Sequence, residues 1–173
     1  MNKKGQVWVE TVIYTLIALV IIGLVLSYIQ PKIMELQDKA TLQESMSMLN
    51  NVNNVLLSLA DNGVGNTRKL QISLTSGTLT IDGSKGIITF SMDNSHDQFS
   101  EPGQSVNYGN IVVYTKKENN LNIVNMTINY GQEYNITYSG GNIIKTITHS
   151  STPYNLLISN NGGNPTNMDF SLV

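Results

Sequence analysis

TVIYTLIALVIIGLVLSYIQ, residues 11–30, is the stretch on which the fold turns. From Thr11 to Pro31 no residue is charged, and Leu, Ile and Val dominate. About 20 helical residues rising ~1.5 Å each cover the ~30 Å hydrocarbon core of a bilayer, and this run has that length with no helix breaker before Pro31. Trp8 and Tyr28, near its two ends, suit the headgroup layers. Lys3 and Lys4 precede it, so the positive-inside rule predicts a cytoplasmic N-terminus and an external C-terminal bulk. A secretory signal peptide has an apolar core of about 7–15 residues ending at a small-residue cleavage site. This run is longer and passes into Gln30-Pro31-Lys32 with no such site. A plain one-pass anchor satisfies hydropathy equally well.

Composition narrows the class further. Only 13% of the 173 residues are charged, where a soluble domain carries about 25%. With 10 Lys+Arg against 12 Asp+Glu there is no basic excess to neutralise phosphates, which argues against nucleic acid as a partner. Zero cysteines exclude disulfides, thiolate nucleophiles and Cys-zinc sites, and two histidines leave few ligands for a catalytic metal.

The residues in front of the run separate an anchor from something more specific. Lys3-Lys4-Gly5-Gln6 is followed four residues later by Glu10, directly before the apolar segment. A carboxylate at the lip of an apolar helix costs a few kcal/mol if driven to mid-bilayer, and such groups are usually paired or functional. In these residues the chain resembles the archaeal type IV pilin-like precursors with class III signal peptides, over about its first thirty residues. The resemblance implies a short basic leader, residues 1–5, removed by a prepilin peptidase at the Gly5–Gln6 bond while the hydrophobic helix is retained. It makes Gln6 the new N-terminus and gives Glu10 the family's acidic position, with Gln6 and Glu10 together setting subunit register. The chain departs from the family at Trp8, where a small residue is common.

Beyond the run, Pro31 removes the bond to the Ser27 carbonyl, so a kink or a break is expected there. Then Leu42, Met46, Leu49, Val52 or Asn53, Leu56, and Leu59 or Ala60 recur at three- and four-residue steps, forming one apolar stripe. Asp61-Asn62-Gly63 supplies stop chemistry. One helix from about Val7 to about Asn62 follows, roughly 80 Å at ~1.5 Å per residue. Its later stripe packs either on the chain's own downstream domain or on other subunits. The uncharged half is apolar on all sides and needs lipid or like helices around it.

From Lys69 onward the period becomes two. Leu70–Leu74 alternates, and Leu79–Ile81 leads into Asp82-Gly83, a hairpin signal. Further strands are expected at Ile87–Met92, Ile111–Thr115, Leu121–Tyr130, Tyr134–Tyr138, Ile143–Thr148, Tyr154–Ile158 and Met168–Leu172, separated by Asn- and Gly-rich turns. The fold class expected is α+β: a long N-terminal hydrophobic and amphipathic helix over 6–63, with a membrane or filament-core part at 7–29, then an antiparallel all-β sandwich over 69–173. The resemblance of the first thirty residues implies that this is a pilin- or archaellin-like architecture.

Nothing in the chain composes an enzyme. His149 beside Ser150 and Ser151 is not a triad, and no G-x-S-x-G elbow exists. Asp93 to Glu101 begins like a calcium loop but lacks the glycine at its sixth place and the glutamate at its twelfth, which is Gln104. Gly83-Ser84-Lys85-Gly86 is a turn with no helix after it, unlike a phosphate loop. No cofactor and no metal are expected. Asn125-Met126-Thr127 and Asn135-Ile136-Thr137 are acceptor sequons, so Asn125 and Asn135 are candidate glycosylation sites.

The expected function is a structural subunit of an archaeal type IV pilus-like filament. Its partners are further copies of itself, the prepilin peptidase and assembly machinery, and the membrane while a precursor. Two alternatives share the same features. One is a minor pilin or anchored surface protein whose β domain binds glycan, surface layer or another cell; the other is an archaellum-related subunit.

Overall fold

A computed structural model describes residues 3–173, with side chains from Val7 onward. Among these residues there is one helix, α1 (Lys3–Asn62), followed by β1 (Thr67–Ile72), β2 (Thr78–Asp82), β3 (Ile87–Ser95), β4 (Ser105–Tyr108) and β5 (Ile111–Glu118). Then come β6 (Leu121–Asn129), β7 (Tyr134–Tyr138), β8 (Ile144–Thr148), β9 (Tyr154–Gly162) and β10 (Thr166–Leu172). The class is therefore α+β, as the change of period implies. Two compact units divide the chain, one ending at Gln37 and the other running from Asp38 to Val173. The division falls inside α1, so the second half of the helix belongs with the strands.

Pro31 lies inside α1, and the helix runs through it, so the expected break is absent. Proline removes one hydrogen bond, while the rest of the i→i−4 ladder is untouched. The helix stops where its chemistry says it should. Gly63 takes a left-handed φ of 87°, the conformation that a C′ glycine provides, and Asn66 Nδ2 donates to the Asn62 carbonyl at 2.8 Å. A second terminal carbonyl, that of Leu59, accepts from the buried Asn160 Nδ2 at 2.9 Å.

The strands form two sheets, one ordered β1-β9-β10-β7 and the other β4-β5-β6-β3-β2-β8. Leu42, Leu49, Val52, Leu56 and Leu59 of α1 share one core with residues of both sheets, among them Phe90, Met126, Ile158 and Phe170. The stripe thus faces its own domain. Polar side chains pin it in place. Tyr130 donates its hydroxyl to Asn53 Oδ1 at 2.9 Å within the core, and burial, helped by Tyr134 nearby, pushes the Tyr130 hydroxyl well above its ordinary pKa. Asp38 Oδ2 accepts from the His96 backbone N–H at 2.7 Å and lies 2.9 Å from its ring Nδ1.

Three details differ from the sequence expectation. First, β7 and β10 run parallel, so the β region is not wholly antiparallel. Alternation along a strand says which face is buried but not the direction of its neighbour, and β7 pairs with a strand that follows it only after β8 and β9. Second, β4 had no counterpart. All four of its residues are exposed, so it has no buried face to leave a pattern. Third, the β2–β3 hairpin closes through four residues, with Asp82 paired to Ile87. Asp82 Oδ1 accepts from Ser84 Oγ at 2.6 Å and from the Ser84 and Lys85 N–H groups at 3.0 and 3.1 Å. Chiefly the Ser84 hydroxyl, with the backbone donors, holds the Asp82 carboxyl below the usual range. Gly86 ends this turn at φ 67°, where an added Cβ would meet Gly131 Cα at 2.6 Å.

Tyr130→Phe is expected to destabilise the folded chain by about 1–3 kcal/mol, because Asn53 Oδ1 is left buried without its donor. Denaturant unfolding of the full chain in detergent micelles, followed by the β-sheet circular dichroism signal, measures it; a change below a few tenths of a kcal/mol would contradict this role.

Candidate functional site

The unit ending at Gln37 carries the feature most in need of a partner. Every side chain from Val7 to Met34 is exposed, including Trp8 at 70%, Leu24 at 67% and Tyr28 at 74%. Soluble monomers rarely expose contiguous apolar patches of more than a few hundred Å², and larger ones mark contact with protein or membrane. This helix is long and apolar enough to cross a bilayer, and none of its apolar window is buried by the rest of the chain. It is apolar on all sides rather than along one stripe, so one neighbour on one face would leave most of it wet.

The few polar side chains in the run are disposed for an apolar medium. Thr11 Oγ1 donates to the Val7 carbonyl at 2.9 Å, Thr15 Oγ1 to Val12 at 2.8 Å, and Ser27 Oγ to Gly23 at 2.8 Å. Each hydroxyl proton is thereby satisfied within the helix, which matters where no water is available. The first charges after the run, Lys32 and Glu35, pair at 2.6 Å just past Pro31. The hydrogen bond that Lys32 donates to Glu35, together with the carboxylate's charge, raises the Lys32 pKa. Charge thus returns to the helix about 30 Å beyond Thr11, one hydrocarbon thickness.

Glu10 is exposed on the helix immediately before the charge-free run. The expected leader and the Gly5–Gln6 bond, with Gln6 as register partner, fall on residues 1–6, whose side chains lie outside those described. Asn125 is on the outward side of β6 and half-buried. Asn135 is half-buried in β7, and the hydroxyl of its sequon partner Thr137 is buried between Asn167 Oδ1 at 2.9 Å and Asp169 Oδ1 at 2.7 Å.

The residues that looked catalytic do not assemble. His149 Nδ1 donates to the Leu74 carbonyl at 2.9 Å, and no triad partner contacts it among the described residues. Among those residues no three of His, Asp and Glu come together as metal ligands. A cleft of about 680 Å³ lies between α1 and the end of β1, lined in part by Gln43, Glu44, Asn51 and Gln71. Glu44 accepts a long bond from Thr75 there, at 3.4 Å. The Asp38–His96 contact is what sequence reading missed. Its partners are far apart in the chain, and no spacing in the sequence links Asp38 to the Asp93–Glu101 segment that holds His96.

No family model, curated protein or solved structure matches this chain. The helix therefore stands on its own chemistry.

Replacing Leu19 and Ile22 together by Arg is expected to raise the cost of insertion by about 5–7 kcal/mol, at ~2.5–3.5 kcal/mol for each mid-helix charge. Alkaline carbonate extraction of expressing membranes reads the result. The parent chain stays in the pellet and the double variant moves to the supernatant; equal pelleting would show that this run is not what holds the chain to lipid.

Proposed function

We propose that the chain is a structural subunit of an archaeal type IV pilus-like extracellular filament and that it has no enzymatic role. The observation that carries this reading is the all-round exposure of apolar side chains from Val7 to Met34. As a precursor, the chain crosses the membrane through residues 7–29 with its N-terminus in the cytoplasm, held by Lys3 and Lys4. A prepilin peptidase cuts at Gly5–Gln6 and removes residues 1–5. The helix then leaves lipid for a bundle of identical helices, and the β region stays in water. Exchanging lipid tails for packed side chains is nearly neutral in the hydrophobic term, so close packing and polar pairing decide the outcome.

Glu10 supplies the polar pairing in this scheme. A freed α-amino group has a reference pKa of about 7.7–8.0, so at Gln6 it is largely protonated near neutral pH. Neither that cation nor a carboxylate is tolerated alone in an apolar bundle. Pairing the Gln6 amine of one subunit with Glu10 of the next neutralises both and fixes how far one helix slides past another.

Two experiments test the scheme. N-terminal sequencing of material sheared from the cell surface is expected to start at Gln6; Met1 intact in that material would instead indicate a surface protein held by an uncut anchor. Glu10→Gln, which keeps size and hydrogen bonding but removes the charge, is expected to abolish filaments while precursor accumulates in the membrane. Normal filament yield from this variant would overturn the register role.

A further inference from the structure

The six-stranded sheet buries Leu79, Ile81, Ile88, Phe90, Val124 and Met126 on one side, so the alternate residues of its strands face outward. Strand register lines those outward residues into two rows that cross all six strands. One row reads Thr146, Thr80, Thr89, Thr127, Val112, Asn107 from β8 to β4. The other reads Thr148, Thr78, Ser91, Asn125, Tyr114, Ser105. Four threonines on four neighbouring strands are thus in line, and their hydroxyls pair across strands, Thr80 with Thr146 at 3.4 Å and Thr89 with Thr127 at 3.1 Å. Neither row contains a charge; along the same alternate positions of the strands, charge appears only outside the two rows, at Asp82 on β2 beyond the first and at Asp93 on β3 and Lys116 and Glu118 on β5 beyond the second.

We infer that this face binds a neutral polysaccharide whose extended chain lies across the strands. The reasoning is chemical. A hydroxyl that shares one proton with its neighbour keeps lone pairs for a ligand, and in each pair one proton stays unspent, so the rows both donate and accept. Donors and acceptors recur at the strand spacing, about 4.8 Å, with about 6.8 Å between rows. An extended chain of β-linked pyranoses presents hydroxyls at a comparable advance per sugar. The Tyr114 ring, 38% exposed in line with Asn125, offers an apolar face against which the C–H side of a pyranose can lie, while the Asn125 amide reaches its hydroxyls. An acidic or basic polymer would find no counter-charge on either row, which leaves a neutral one. The face belongs to the unit from Asp38 onward, so the inference holds whether or not α1 assembles into a filament.

The test is co-sedimentation of the full chain, in detergent micelles, with microcrystalline cellulose and with chitin. Retention on at least one of these is expected, with little change between low and high salt. Two variants probe the face: Thr80→Val with Thr127→Val, which keeps the β-branched shape and removes two hydroxyls, and Tyr114→Ala. Each is expected to weaken retention about tenfold, in line with the loss of two hydrogen bonds or one stacking surface. Unfolding curves matching the parent show that the face, not the fold, was changed; should either variant unfold, Tyr114→Ser and Thr89→Val replace it. No retention on either polymer, or retention that these variants leave unchanged, overturns the inference. So does self-association of the chain that the valine variant abolishes, since the face would then belong to a second copy. A glycan found on Asn125 by intact mass would also overturn it by covering the rows.

Discussion

Burial of one helical stripe against two sheets is the contact on which everything else in the folded region depends. Leu42, Leu49, Val52, Leu56 and Leu59 lie in a core that draws residues from both sheets, and each leucine there is worth about 2–5 kcal/mol against truncation. The buried polar bonds act as position markers on that stripe. Asn53 meets Tyr130, and the Leu59 carbonyl meets Asn160. Satisfied pairs of this kind add modestly to stability but penalise every register in which they are unmade. A helix that slid by one turn would bury the same leucines and lose all of these partners.

Much of this was legible in the residues. The change of period near Lys69, the three-and-four spacing from Leu42 to Leu59, and Gly63 as a stop are local signals, and local signals survive folding. What escaped is non-local or leaves no pattern. The parallel pairing of β7 with β10 depends on where β8 and β9 travel in between. The exposed β4 has no apolar side to count. The Asp38–His96 contact joins a helix position to a loop fifty-eight residues later. At the candidate site the balance is reversed. The apolar run and Glu10 could be read directly, because exposure of an all-round apolar helix follows from composition and length alone, whereas the rows of threonine across the six-stranded sheet needed the register of five strand pairs.

The two halves of α1 solve different solvation problems with one backbone. From Asp38 onward, polar side chains reach partners elsewhere in the chain, and the stripe hides in the core. Before that, the Thr11, Thr15 and Ser27 hydroxyls are turned back onto their own helix and the apolar side chains from Val7 to Met34 are left outward. Such a segment carries no preference for one apolar neighbour over another until a charge is added. Glu10 sits where that preference can be imposed, at the boundary between the charge-free run and the basic residues before it.

The position of β10 has a consequence for how the β region comes into being. It lies between β9 and β7 in the four-stranded sheet, yet it is the tenth strand in chain order. Until it arrives, β7 has no partner within its sheet, and the pairing of β1 with β9 is a two-stranded ribbon, which is marginal by itself. A chain whose strands become available in sequence order therefore passes through a stage in which its six-stranded sheet can close while the other stays open. The sheet that receives the helix's terminal carbonyl through Asn160 is the one that waits. Closure of the whole domain is thus timed to the delivery of Thr166–Leu172.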